Sequence, residues 1–307
     1  MTPVTSFTAP LLLALAAVAF APSQVAANDP CADYVPQPKP QNASRDIVGQ
    51  ELDEIIDRGW MEFAVYEDYP PYSWREAGTR KAKGIDIEIA KLIAADLGVE
   101  PRFSFVAAGE NLEADLRFNL WRGALIGGRI ANVMMRVPYD SAFKCRVEQV
   151  VFTGQYGGES IAIAYDDAHY DEDEAPTPAY FRFDTVAVEN DSIADFYLSS
   201  FAGGQVTGNV RRYPSMEAAM DALNANEVNA AMGPLSQLEF HAEDDTIVHQ
   251  PPLAGFAKSS WTLGVGVNFR YRPLSYAVDD AIWAALDDGR IQAIHDDFGV
   301  SFQPPER

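Results

Sequence analysis

One order of elements occurs twice in this chain, and it constrains the fold more than any other feature. MEFAVYED alternates apolar and polar residues and predicts a strand. IDIEIAKLIAADLG, from Ile85, spaces its apolar residues helically and stops at Gly98. PRFSFVAA predicts a second strand. ENLEADLRFNLWRGALIGG predicts an amphipathic helical region over Asn111–Gly128, and ANVMMRV a buried strand. A weaker copy follows: FDTVAVEN, IADFYLSSF, NVRRYP, MEAAMDALNANE and VNAAMG. Each set reads βαβαβ, which packs helices on a mainly parallel sheet. A strand, TLGVGVN, and two helical segments remain at the end. The expected fold class is α/β with two lobes, the second inserted into the first. Lobe one takes residues 45–157 and 253–307, and lobe two takes 158–252. The chain crosses near Tyr156–Ser160 and returns near Pro251–Gly255. Two crossings make a hinge, and a ligand site in such a design lies between the lobes.

With 307 residues, 48% of them hydrophobic, the chain can bury a core of this size. Its first residues read as a secretory signal over 1–27. The apolar run Leu11–Ala21 leads to the small residues Val25, Ala26 and Ala27, with cleavage expected near Ala27. That run is too short to span a bilayer, and no later stretch is apolar enough to do so. A Pro-rich arm over 28–44 and a short helix ending near Gly59 precede the first strand. The net charge of -22 argues against nucleic-acid partners, because phosphates would be repelled. The two cysteines, Cys31 and Cys145, read as a disulfide in an exported protein, with free thiols as the alternative. Too few soft ligands lie nearby for a metal site.

Several residues are candidates for the interlobe cleft. Tyr69, Tyr72 and Trp74 lie on a loop anchored by Pro70-Pro71. Arg136 precedes the loop PYDSAFKCR, which carries Tyr139 and Arg146. Tyr156 and Met232 are further candidates, and Trp121 reads either as a cleft residue or as the core face of its helix. Such a surface suits an apolar ligand or a protruding protein segment. Signs of catalysis are missing. His169, His241, His249 and His295 match no ligand or triad spacing, and no nucleophile elbow appears. We expect neither a catalytic nor a metal site. The acidic run Asp166–Glu174 departs from the EF-hand spacing and reads as a solvated loop.

GIDIEIAKLIAADLG, LWRGALIGGRIANVMM, CRVEQVVFTGQY, LNANEVNAAMG and LDDGRIQAIHDDFG, in this order, resemble the family 3 solute-binding proteins, bilobed receptors of ABC transporters. This implies the type II periplasmic-binding-protein fold. More narrowly, ENLEADLRFNLWRG followed by MMRVPYD and EQVVF resembles the J proteins of periplasmic methanol oxidation. That resemblance implies a periplasmic, non-catalytic accessory protein that binds no cofactor itself. Its expected partner is a PQQ-dependent methanol dehydrogenase using calcium or a lanthanide, with the c-type cytochrome as a further candidate.

The wider resemblance implies three anchors for an α-amino acid: an Arg in lobe one, a helix amino terminus in lobe two, and an Asp in lobe two. Arg146, six residues before Phe152, holds the Arg position. Asp191 and Ser192 hold the helix start, but Asp191 replaces a usual Gly and disfavours a carboxylate. Pro234 stands where the ammonium-binding Asp belongs. Losing two charge-assisted bonds, at ~1.5–3 kcal/mol each, would abolish useful affinity for a free amino acid. The leading expectation is therefore the dehydrogenase accessory. The alternative is a transport receptor for another small polar or aromatic solute.

Overall fold

The computed structural model describes residues 52–123, 130–170, 175–256 and 258–306. The signal segment, the Pro-rich arm, Cys31, residues 124–128 of the second helical region and residues 171–174 of the acidic run lie outside the described residues.

Helix α1 (Leu52–Arg58) ends at Gly59, whose φ of +74° suits a left-handed helix cap. Strand β1 (Trp60–Tyr66) follows, buried at Phe63, Ala64 and Val65, with a paired neighbour on each side. A small hairpin, β2 (Trp74–Arg75) and β3 (Ala82–Lys83), leads to α2 (Ile85–Asp96). At Gly84, which precedes α2, φ is +132° and a Cβ would stand 2.0 Å from the Tyr72 carbonyl oxygen. Only glycine fits there. The apolar stripe Ile85, Ile89 and Ile93 of α2 packs into the lobe-one core.

Strand β4 (Glu100–Val106), helix α3 (Leu112–Leu116), strand β5 (Val133–Pro138) and helix α4 (Ser141–Arg146) complete the first pass through lobe one. Here the sequence expectation needs two corrections. The region from Asn111 is α-helical for little more than a turn, capped by the Asn111 side chain, and then widens to a π-helical turn over Arg117–Trp121. The stretch PYDSAFKCR is not all loop: Asp140 accepts from Phe143 N at 2.7 Å and nucleates α4.

Strand β6 (Val150–Asp166) passes between the lobes. At ~3.3 Å per residue its 17 residues extend about 55 Å. Lobe two comprises β7 (Val186–Glu189), α5 (Ile193–Ser200), β8 (Val210–Tyr213), α6 (Met216–Asn224), β9 (Ala230–Pro234), α7 (Leu235–His241) and β10 (Thr246–His249). Helix α7 and strand β10 were not expected from the sequence. The chain returns through β11 (Ser260–Asn268), α8 (Arg272–Asp287) and α9 (Arg290–Asp297).

The strand order is β4-β1-β5-β11-β6-β9-β7-β8, with β10 also on β6. Pairing is parallel within each lobe's βαβ units and antiparallel where β11 meets β5 and β6, and where β6 meets β9. The first half of β6 thus belongs to one lobe and its second half to the other. Beyond α9 the chain returns over the crossing: Gly158 N donates to Gln303 O at 2.7 Å, and Ser301 N and Oγ both donate to Glu239 of α7 at 2.7 Å.

Candidate functional site

The sequence places an aromatic-proline turn directly after β1. Tyr72 N and Ser73 N both donate to the Tyr69 carbonyl, at 2.9 and 3.0 Å, across a cis Pro70-Pro71 peptide. The turn stacks the Tyr69 and Tyr72 rings at 5.7 Å. Opposite it, β5 bulges: its register with β11 shifts between Gly264 and Gly266, and Arg136 takes φ +60°. A bulge re-aims a side chain. The Arg136 guanidinium lies over the Tyr72 ring, 3.0 Å from its centre, and 5.3 Å from that of Tyr69.

Beneath this stack sits Glu159, fully buried on β6. Arg136 Nη2 lies 3.4 Å from its Oε2, and the Tyr72 hydroxyl donates to the same oxygen. Ser160 N donates to Oε1 at 3.1 Å, and Ser236 N, in the first turn of α7, at 3.4 Å. One carboxylate is thereby held by lobe one, by the crossing strand and by lobe two. Burial pulls the Arg136 guanidinium down, but Tyr72, Tyr69, Asp86 and Glu159 outweigh it and hold it above its ordinary value. Arg136 therefore stays charged. Burial also raises the Tyr72 and Tyr156 phenols well above their usual range, so both remain proton donors. Tyr156 donates to Asp86 Oδ1 at 2.7 Å. Burial pushes Asp86 up to about 6, against the opposing pull of Arg136 and of the Tyr156 bond.

Above the stack a cleft of about 500 Å³ opens between the lobes. Tyr66, Glu67 and Tyr69 form one wall, continued by the loop into α3 and by Asp115 of α3 itself. Arg136, Pro138, Trp261 and Leu263 form the floor, and Ile193, the first residue of α5, faces them from lobe two. Asp115 accepts from the Tyr66 hydroxyl at 2.9 Å and from Gly109 N at 2.8 Å. Lys258 at the rim pairs with Asp140 at 2.6 Å.

Of the residues singled out from the sequence, the structure brings Tyr69 and Arg136 to the cleft, while Tyr72 and Tyr156 are buried and do not line it. Trp74 instead contacts Phe240 of α7 and Phe298 at 5.7 and 5.9 Å. Trp121 and Tyr139 pack against a second lobe-one core cluster around Leu116 and Leu120. Arg146 is exposed on α4, its guanidinium 5.5 Å from the Phe143 ring. Asp191 is exposed at φ +59°, and Ser192 caps α5 by accepting from Asp195 N at 3.2 Å. Met232 is buried in the lobe-two core, and Pro234 stands just before the first turn of α7. Cys145 is disulfide-bonded; Cys31 lies outside the described residues. Among the described residues no group of acidic, His or Cys side chains could hold a metal ion.

Glu159, Asp86, Glu67 and Asp115 were missed. Glu159 did leave a signal. It is a lone carboxylate in the otherwise uncharged stretch GGESIAIAY, and a charge in a continuous buried strand must be paired.

Residues 61–118, from β1 to the π-helical turn, match the model of the bacterial extracellular solute-binding proteins, family 3. An ancestral cationic amino acid solute binding protein superposes with a TM-score of 0.66 at 17% identity, covering 81% of this chain and 99% of its own. The fold is that of the type II periplasmic solute-binding proteins. An amino acid ABC transporter substrate-binding protein from Streptococcus pneumoniae, bound to L-arginine, gives 0.59 at 18% identity, covering 83% and 100%. A mutant of ArgBP from T. maritima gives 0.55 at 20% identity, covering 80% and 98%. Among curated proteins none matches this chain. No helix of the described residues is long and apolar enough to cross a membrane.

Proposed function

We propose that this chain is a non-catalytic periplasmic binding protein whose interlobe cleft takes a small solute other than a free α-amino acid, as the receptor of an ABC transporter. The family 3 match and the solute-binding neighbours support the receptor reading. One observation carries the exclusion of amino acids. Arg146, at the position expected to grip a carboxylate, is exposed on α4, while the arginine in the cleft floor, Arg136, is already paired with Glu159. A thermal-shift screen of polar and aromatic metabolites tests the reading. Saturable stabilisation by one compound is the expected result, and stabilisation by none would refute it.

A second reading rests on a separate observation. The segments that resemble the methanol-oxidation J proteins, DLRFNLWRG and RVPYD, contribute Asp115, Arg136 and Pro138 to the cleft. In that reading the cleft holds a segment of a PQQ-dependent methanol dehydrogenase and aids its maturation or assembly, the PQQ and the calcium or lanthanide belonging to the partner. Interferometry between the two purified proteins decides it: binding by neither the apo nor the metal-loaded dehydrogenase would rule the accessory role out.

A further inference from the structure

We infer that the cleft selects an organic cation that lacks a carboxylate, such as an amine, and that Glu159 is the residue that excludes anions. The inference rests on the solute-binding reading and names its ligand class.

The charges around the cleft do not balance. Four acidic or basic side chains line it: Glu67, Asp115, Arg136 and Lys258. Both cations are already matched, Arg136 by Glu159 and Lys258 by Asp140. Neither carboxylate meets a basic group among the described residues. Asp115 is hydrogen-bonded by neutral donors, which leave its charge in place, and Glu67 is exposed on the wall. The uncompensated charge facing the cavity is therefore negative. The lining adds the aromatic groups Tyr66, Tyr69 and Trp261, and aromatic ring faces attract cations. The chain's net charge of -22 raises the local concentration of cations further. A ligand carboxylate would meet two like charges and no cation that lacks a counter-charge. Glu159 sets this preference because it occupies Arg136 from below, taking the place a ligand carboxylate would need.

Isothermal titration with phenethylamine and 3-phenylpropionate tests this, since the two share a body and differ in the sign of the charge. The folded native chain is expected to bind phenethylamine at least tenfold more tightly. Glu67→Gln, a change at an exposed side chain, is expected to weaken phenethylamine about tenfold without weakening 3-phenylpropionate. Glu159→Gln is expected to raise the affinity for 3-phenylpropionate, because it releases Arg136, whose Nη1 has no partner among the described residues. Tighter binding of 3-phenylpropionate by the native chain would overturn the inference and leave the solute-binding reading standing. An unchanged ratio in Glu67→Gln, or no binding of either probe, would also overturn it. The metabolite screen then judges the solute-binding reading on its own.

Discussion

Arg136 and Glu159 form an ion pair at 3.4 Å between the cleft floor and the crossing strand, with side-chain exposures of 7% and 0%. Tyr72 and Ser236 complete the shell of the carboxylate from opposite lobes. Glu159 is thereby a bridge between the lobes made by a side chain of the chain itself.

Removing one member of this pair leaves a buried charge without its counter-charge. Glu159→Ala is expected to lower unfolding free energy by ~3–5 kcal/mol. Replacing both charges, Arg136→Met with Glu159→Gln, is expected to cost clearly less. Urea unfolding of both variants checks the order, and equal losses would mean that the pair is not the stabilising unit.

Asp86 makes stability depend on pH. Its folded value of about 6 lies above the ordinary 3.8, so the folded chain holds this proton more tightly than the unfolded chain. The resulting stability is full below about pH 4 and is lost as pH rises through about 6, ~3 kcal/mol in all. Asp86→Asn removes this dependence. The difference in unfolding free energy between native chain and variant should therefore fall by about that amount from pH 4 to 7, and a constant difference would contradict the assignment.

Gly84→Ala should be among the most damaging single changes. Its Cβ would enter the Tyr72 carbonyl, and φ +132° is foreign to alanine. Backbone strain alone costs ~1–3 kcal/mol, and the overlap adds to it. A variant with native thermal stability would show that the Tyr72–Gly84 contact yields easily.

Arg146→Ala is expected to do little. The side chain is exposed and lies outside the cleft, so stability should stay within ~0.5 kcal/mol and phenethylamine affinity should not change. A tenfold loss of affinity on calorimetry would return Arg146 to the site.

Local signals made most elements legible. Apolar spacing marked α2 and α6, alternation marked β1, and Ser192 announced the start of α5. Helices α4 and α7 escaped because each is six or seven residues long, too short for a periodic pattern to stand out. The site was read only in part. Tyr69 and Arg136 line the cavity, whereas family spacing favours Arg146, and spacing does not report that a short helix turns a side chain outward.

Two α/β units and an aromatic-proline turn are legible along the chain, because periodicity, caps and turn residues act over a few neighbouring positions. Which charges meet follows from packing in three dimensions. Glu159 lies 23 residues from Arg136, 87 from Tyr72 and 77 from Ser236, and a buried carboxylate acquires its partners from packing, not from spacing along the chain.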